Sequence, residues 1–93
     1  MTTNATLNPN TVTERGFPSV LEQIGQLDPD HDIELLFDIA HCVGIRLNEW
    51  TYSFDKVEQA ILDRAITAGF EPDGLRCHIE LALIDGFTEY RDK

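Results

Sequence analysis

Three groups of residues in this sequence carry side chains that can do chemistry. The first is Asp28-x-Asp30-x-Asp32, which begins like a calcium loop. Such a loop needs Gly at its sixth position for the sharp turn and a bidentate Glu at its twelfth. Those positions hold Ile33 and Ile39, so the loop has no means of closing round an ion. The second group pairs His41-Cys42 with Cys77-His78, four zinc-capable ligands. Neighbouring residues on a helix diverge by about 100°, and neither pair has the C-x2-C or H-x3-H form of a zinc site. Both thiols also fall on apolar arcs, where free cysteine packs as a small hydrophobe. The third group is Glu34, Asp38 and His41, which share one helical face at spacings of four and three. An acid–base cluster would use these residue types. A solvated strip, with Asp38 favouring protonated His41, accounts for them more simply. Ser19 and Ser53 are the only serines and both read as helix caps. There is no G-x-S-x-G and no glycine-rich phosphate loop. The expectation is a protein that is not an enzyme, with no metal and no cofactor.

The elements that position these groups follow from hydrophobic periodicity. Ile33–Val43 is apolar almost all round, interrupted only by Glu34, Asp38 and His41, and predicts a central helix. Asp28, Asp30 and Asp32 precede it, where carboxylates answer unpaired N–H groups and the helix dipole. Gly44 followed by Ile45 predicts a Schellman stop. Upstream, residues 1–16 are rich in Thr and Asn and read as a flexible N-terminal arm. Ser19-Val-Leu-Glu22 forms a capping box for a short helix over 19–27, ended by Asp28-Pro29.

Downstream, Trp50, Tyr52 and Phe54 alternate with Thr51 and Ser53. No partner strand is evident, so 45–52 reads as a loop with an aromatic anchor. Ser53 or Thr51 caps a helix over 54–68, with Val57, Ile61, Ala65 and Ala68 on one face and Gly69-Phe70 as its stop. Asp73 caps a last helix over 74–90, whose main face is Leu75, Ile79, Ala82, Leu83, Gly86, Phe87 and Tyr90. A second stripe on that helix, Cys77, Leu81 and Ile84, offers a contact to another chain, including a homodimer through the last helix. The fold class is all-α: a small four-helix bundle-like domain over 17–93 behind the arm.

Charge narrows the partners. There are 17 Asp and Glu against 7 Lys and Arg, a net charge of −10. Arg15, Arg46, Lys56, Arg64, Arg76 and Arg91 are scattered singly, whereas phosphate binding needs clustered cations. Residues 54–90 have a helix–turn–helix look, but Glu80, Asp85 and Glu89 would meet DNA with repulsion. Direct nucleic acid and an anionic membrane are both disfavoured. Residues 1–10 have neither the basic start nor the apolar run of a signal peptide, and nothing reaches the length of a membrane span. A cytoplasmic location is expected, with free thiols.

Asp28–Leu47 resembles the second helix of an acyl carrier protein. In that small, acidic, four-helical family an Asp-Ser-Leu motif precedes a helix of V/I-E-L pattern ending in Gly-Ile. Ile33-Glu34-Leu35 and Gly44-Ile45 fit this pattern. Pro29 stands where the phosphopantetheine serine belongs. The resemblance therefore implies at most a carrier-like fold with no attachment point for the prosthetic group.

These readings point to a protein–protein interaction module, an inhibitor or regulator that binds a basic, nucleic-acid-binding surface of a partner protein. Phage anti-defence proteins of the anti-CRISPR kind, nuclease immunity proteins and antitoxins share this design. Carboxylates at helical spacing can stand in for a phosphate track. The expected acidic face is Asp28, Asp30, Asp32, Glu34 and Asp38, with Trp50 and Tyr52 as anchors. The alternative is a structural or accessory subunit that docks or self-associates through the Cys77, Leu81 and Ile84 stripe; a metal-dependent enzyme comes third, and needs the His41-Cys42 and Cys77-His78 pairs to converge.

Overall fold

A computed structural model describes residues 16–91 of the chain. It contains four α-helices: α1 Phe17–Ile24, α2 Ile33–Arg46, α3 Phe54–Ala68 and α4 Leu75–Arg91, with a 3-10 turn at Leu47–Glu49 after α2. No strand occurs among the described residues. The expected arm falls outside them, except for Gly16. No helix of the described residues is long and apolar enough to cross a membrane.

Each helix contributes one stripe to a single core. Phe17, Val20 and Ile24 come from α1; Leu36, Ile39, Ala40 and Val43 from α2; Val57, Ile61, Leu62 and Ala65 from α3; Leu75, Ile79 and Leu83 from α4. The spacings of three and four place these side chains on one face of each helix. Leu27, Leu47 and Phe70 close the core from the connecting turns.

Two helix boundaries match the sequence reading. The Ser53 hydroxyl accepts a hydrogen bond from the Lys56 N–H at 3.3 Å, capping α3. Gly69, at φ 112°, ends α3 with the paired bonds of a Schellman motif: its N–H donates to the Ile66 carbonyl and that of Phe70 to the Ala65 carbonyl.

Three boundaries differ. First, α1 starts at Phe17, ahead of the capping box, because Gly16 at φ 102° turns the chain into it and Pro18 sits in the first turn, where a missing N–H costs no bond. Ser19 is therefore inside the helix. Arg64 reaches from α3 to donate through Nε to the Leu21 carbonyl at 3.0 Å, near the end of α1. Second, Gly74 at φ 76° stands immediately before α4, and its carbonyl accepts from the His78 N–H; that is the place expected for Asp73.

The third difference is the largest. Gly44 does not stop α2, which runs on to Arg46. It is buried against α4 instead. A Cβ at Gly44 would overlap the Leu83 carbonyl and press on the Phe87 backbone nitrogen. A Cβ at Gly86 would overlap the His41 carbonyl and press on the Ile45 nitrogen. The two helices touch backbone to backbone at this crossing. Phe37 and His78, about two turns before the crossing on each helix, have ring centroids 5.4 Å apart. That pairing shows that α2 and α4 run parallel, so their N-termini share one end of the molecule.

In an exposed helix interior, Gly to Ala stabilises by about 1 kcal/mol. Here the sign reverses, because the obstructing atoms are backbone and cannot rotate away. Gly44→Ala and Gly86→Ala should each lower unfolding free energy by roughly 1–3 kcal/mol, the cost of forcing extra volume into a packed interior. Urea unfolding followed by circular dichroism measures this. An unchanged or raised midpoint would show that the helices do not cross this closely.

Candidate functional site

The Asp28–Asp32 connection is held by its own side chains. The Asp28 carboxylate accepts from the Asp30 N–H at 2.9 Å and pairs with His31 Nδ1 at 2.9 Å. The Asp28 N–H donates to the Asp32 carboxylate at 2.7 Å, and the Asp28 carbonyl accepts from the N–H groups of His31 and Asp32. The backbone bond from Asp30 and the imidazole of His31 hold the Asp28 carboxyl below its ordinary pKa, and Asp28 in turn raises that of His31. Asp32 occupies the N-cap position of α2 but makes no side-chain cap bond. Its carboxylate turns back to Asp28, while its carbonyl accepts from the Leu36 N–H at 2.9 Å at the start of the helix.

Because α2 and α4 are parallel, this loop lies beside the α3–α4 connection. A surface cleft of about 340 Å³ is lined by Pro29, Ile33, Phe37, Phe70, Leu75 and His78, with Glu71 and Asp73 among its walls. A second cleft, of about 360 Å³, lies across the Pro29–Phe70 ridge, where Asp30, Ile66 and Glu71 contribute. Carboxylates from two connections that are distant in sequence thus surround one partly apolar end. Asp28, Asp30 and Glu34 are exposed there, and Asp32 is half-buried. Asp38, also exposed, follows Glu34 one turn further along α2.

Trp50 and Tyr52 are elsewhere. They follow the C-terminus of α2, a 14-residue helix roughly 21 Å long, whereas the acids cluster at its N-terminus. Trp50 is half-buried and packs on Phe17 with ring centroids 5.7 Å apart. Tyr52 packs on Phe17 at 5.1 Å and meets Trp50 edge-on at 6.2 Å. The three rings tie the α2–α3 connection to the start of α1. The expected face therefore divides into two separate surfaces, because the helix that carries the acids also holds the aromatics a helix length away.

No protein family, curated protein or solved structure matches this chain. The acyl-carrier likeness of residues 28–47 gains no support from these comparisons.

The remaining constellations do not assemble. His41 Nε2 lies 3.4 Å from Glu89 Oε1 across the α2–α4 crossing, so its acidic neighbour is on α4 rather than Asp38 on its own helix. Cys42 is half-buried and Cys77 exposed, both as free thiols. Burial, with Asp38 adding, raises the Cys42 pKa. Among the described residues no three His, Cys, Asp or Glu side chains are grouped to hold a metal.

Sequence reasoning missed Glu71, Phe70 and Ile66 as parts of this end, and Asp73 entered only as a helix cap. Their local signals are those of a helix stop. Glu58 of α3 is a further residue that sequence reasoning passed over: it lies past the first turn, whose acid is Asp55, and it is buried. The Glu58 side chain is 9% exposed; Oε1 lies 3.5 Å from Arg76 Nη1 and Oε2 is buried with no partner among the described residues. Burial raises its pKa, with Glu80 and Asp55 adding and Arg76 opposing.

A carboxyl whose pKa is higher folded than unfolded costs stability once it ionises, and the cost grows as pH rises from the unfolded value through the folded one. Glu58→Gln should therefore raise the melting temperature at pH 7 by a few degrees, equivalent to about 1 kcal/mol. The gain should shrink as pH falls toward 4, where Glu58 is itself protonated. Thermal melts of both proteins across this range check the sign. A gain independent of pH would mean that charge at Glu58 is not the cost.

Proposed function

We propose that this protein is a small acidic protein-binding module, an inhibitor or regulator that occupies a basic, nucleic-acid-binding surface of a partner. The observation that carries this reading is the gathering of Asp28, Asp30, Asp32, Glu34, Glu71 and Asp73 at the shared N-terminal end of α2 and α4. Three of the described arginines are engaged within the chain: Arg46 with Glu49, Arg64 with the Leu21 carbonyl, and Arg76 with Glu58 and Gln59. The negative end is thus left to attract cations. Charge of this kind steers encounter and sets orientation more than it adds affinity. Phage anti-defence proteins, immunity proteins and antitoxins are the classes that use such a surface, and the cytoplasm is where they act.

The test uses an arginine-rich protamine as the basic probe. Association should slow steeply with added salt, and amide shifts should concentrate in residues 28–34 and 69–75. Asp30→Lys with Glu34→Lys should slow association roughly tenfold at low salt while leaving the circular dichroism spectrum unchanged. Unchanged on-rates, or shifts spread evenly over every acidic face, would overturn the assignment of this end.

A second reading is favoured by the exposure of Leu81 and Ile84, 54% and 42%, on the outer stripe of α4. Residues Cys77, Leu81 and Ile84 recur at the spacing of a two-helix seam, and such a stripe is self-complementary about a two-fold axis. On this reading two copies pair through α4. Sedimentation across a concentration series should then show a dimer that Leu81→Glu dissociates. A monomer at every concentration would remove it.

A further inference from the structure

We infer that the cleft between α2 and the α3–α4 connection receives one apolar side chain of a partner segment that carries Lys or Arg on both sides of it. The inference rests on the reading above and names the partner chemistry for that end.

The cleft combines an apolar interior with an acidic border. Phe70 and Leu75 form its base and are almost fully buried, each 3% exposed. Both are fixed by backbone bonds: the Phe70 N–H donates to the Ala65 carbonyl at 3.0 Å and that of Leu75 to the Pro72 carbonyl at 3.1 Å. Ile33, Phe37 and His78 rise from the two parallel helices as walls. The pocket is therefore formed before any partner arrives, which spares an incoming side chain the ordering cost of building it.

Ile33 is the telling residue. It is the first residue of α2, is 38% exposed, and follows directly on the acidic connection. The core does not use that exposed surface. Glu71 and Asp73 border the same cleft, and Asp30 and Glu71 border the neighbouring one across Pro29. An uncharged apolar ligand would leave those carboxylates without compensation. An anion would be repelled. A cation without an apolar group would leave Ile33 and Phe37 in water. An apolar side chain between basic residues satisfies both parts, and a shallow open cleft suits an extended segment that lies across it.

Synthetic peptides separate the two ideas. Lys-Arg-Leu-Arg-Lys and Lys-Arg-Gly-Arg-Lys carry equal charge, and a neutral Ser-Ser-Leu-Ser-Ser carries only the apolar group. Each is titrated into the full chain, with amide shifts as the readout. The leucine peptide should bind roughly tenfold tighter than the glycine peptide, as expected for partial burial of a leucine side chain, with shifts centred on residues 33–37 and 70–78. Ile33→Ser should remove that difference. Ile66→Ser, on the second cleft, should leave it in place. Both residues are exposed, and circular dichroism verifies that the variants fold.

Equal affinity of the two cationic peptides at this end would overturn the cleft inference while leaving the charged-module reading intact. No perturbation at this end by either cationic peptide would overturn both. Binding of the neutral peptide as tightly as the cationic leucine peptide would overturn the cationic part of the inference and the charge-based reading together. Loss of the leucine preference in Ile66→Ser but not in Ile33→Ser would overturn the assignment to this cleft.

Discussion

Two glycines in backbone contact fix this molecule. Gly44 and Gly86 let α2 and α4 cross so closely that neither position has room for a methyl group. Each glycine costs its helix about 1 kcal/mol relative to alanine. The approach it permits draws together Ile39, Val43, Ile79 and Leu83, all fully buried, and each side chain of that size contributes roughly 1.5–3 kcal/mol when taken out of water. Ala40 and Ala82 lie one turn before the two glycines. Both helices thus present small residues at a spacing of four, the pattern that lets helix backbones come together. The carbonyls of Leu83 and His41 face the opposing glycine Cα atoms, a geometry that suits weak Cα–H···O contacts.

The parallel crossing has an electrostatic consequence. It sets two helix N-termini side by side, and each carries about half a positive charge from its unpaired N–H groups. The acids at that end offset this at roughly 0.3–1 kcal/mol apiece for surface groups. They are therefore structural before they are anything else. Their uses differ, however. The Asp28 and Asp32 carboxylates are committed to the turn through the Asp30 N–H, His31 and the Asp28 N–H. The carboxylates of Asp30, Glu34, Glu71 and Asp73 are exposed and show no hydrogen bond or ion pair among the described residues. These four define the part of the negative end that a partner can reach, and only Asp30 and Glu34 belong to the run of acids that stands out in the sequence.

What was legible in the sequence was whatever local patterns encode. The helical class, the core stripes of α3 and α4, the Ser53 cap and the Gly69 stop all follow from spacings within one helix or turn. Gly44 departs from the expected helix stop for a physical reason. Glycine followed by a hydrophobic residue signals a helix end when the chain must adopt positive φ, as it does at Gly69. The same two residue types also occur where another helix needs space, as at Gly44. Only the partner helix distinguishes the two cases, and Gly86 lies 42 positions away in the numbering. The candidate site was half legible for the same reason. Its acidic connection was visible as a run, but its apolar floor is supplied by Phe70 and Leu75, whose own neighbourhood reads only as the end of one helix and the start of the next. The orientation of α2 against α4, which brings these pieces together, has no local signature.

The displacement of Trp50 and Tyr52 to the opposite end changes what kind of interface the acidic end can make. A convex module contributes aromatic anchors and seats them in its partner's pockets. Here Trp50 and Tyr52 pack on Phe17 at the other end, where they hold the α2–α3 connection to α1, and the acidic end presents a cleft instead. On the proposed reading anchor and pocket exchange sides: the anchoring side chain would come from the partner, and this chain would supply the preformed receptacle and the charge around it. Rigidity then falls where recognition needs it. The receptacle is built from helix starts and a Schellman turn, elements locked by the glycine crossing below them. Widening that crossing would separate Ile33 and Phe37 from Leu75 and His78 and open the pocket without touching any residue that lines it.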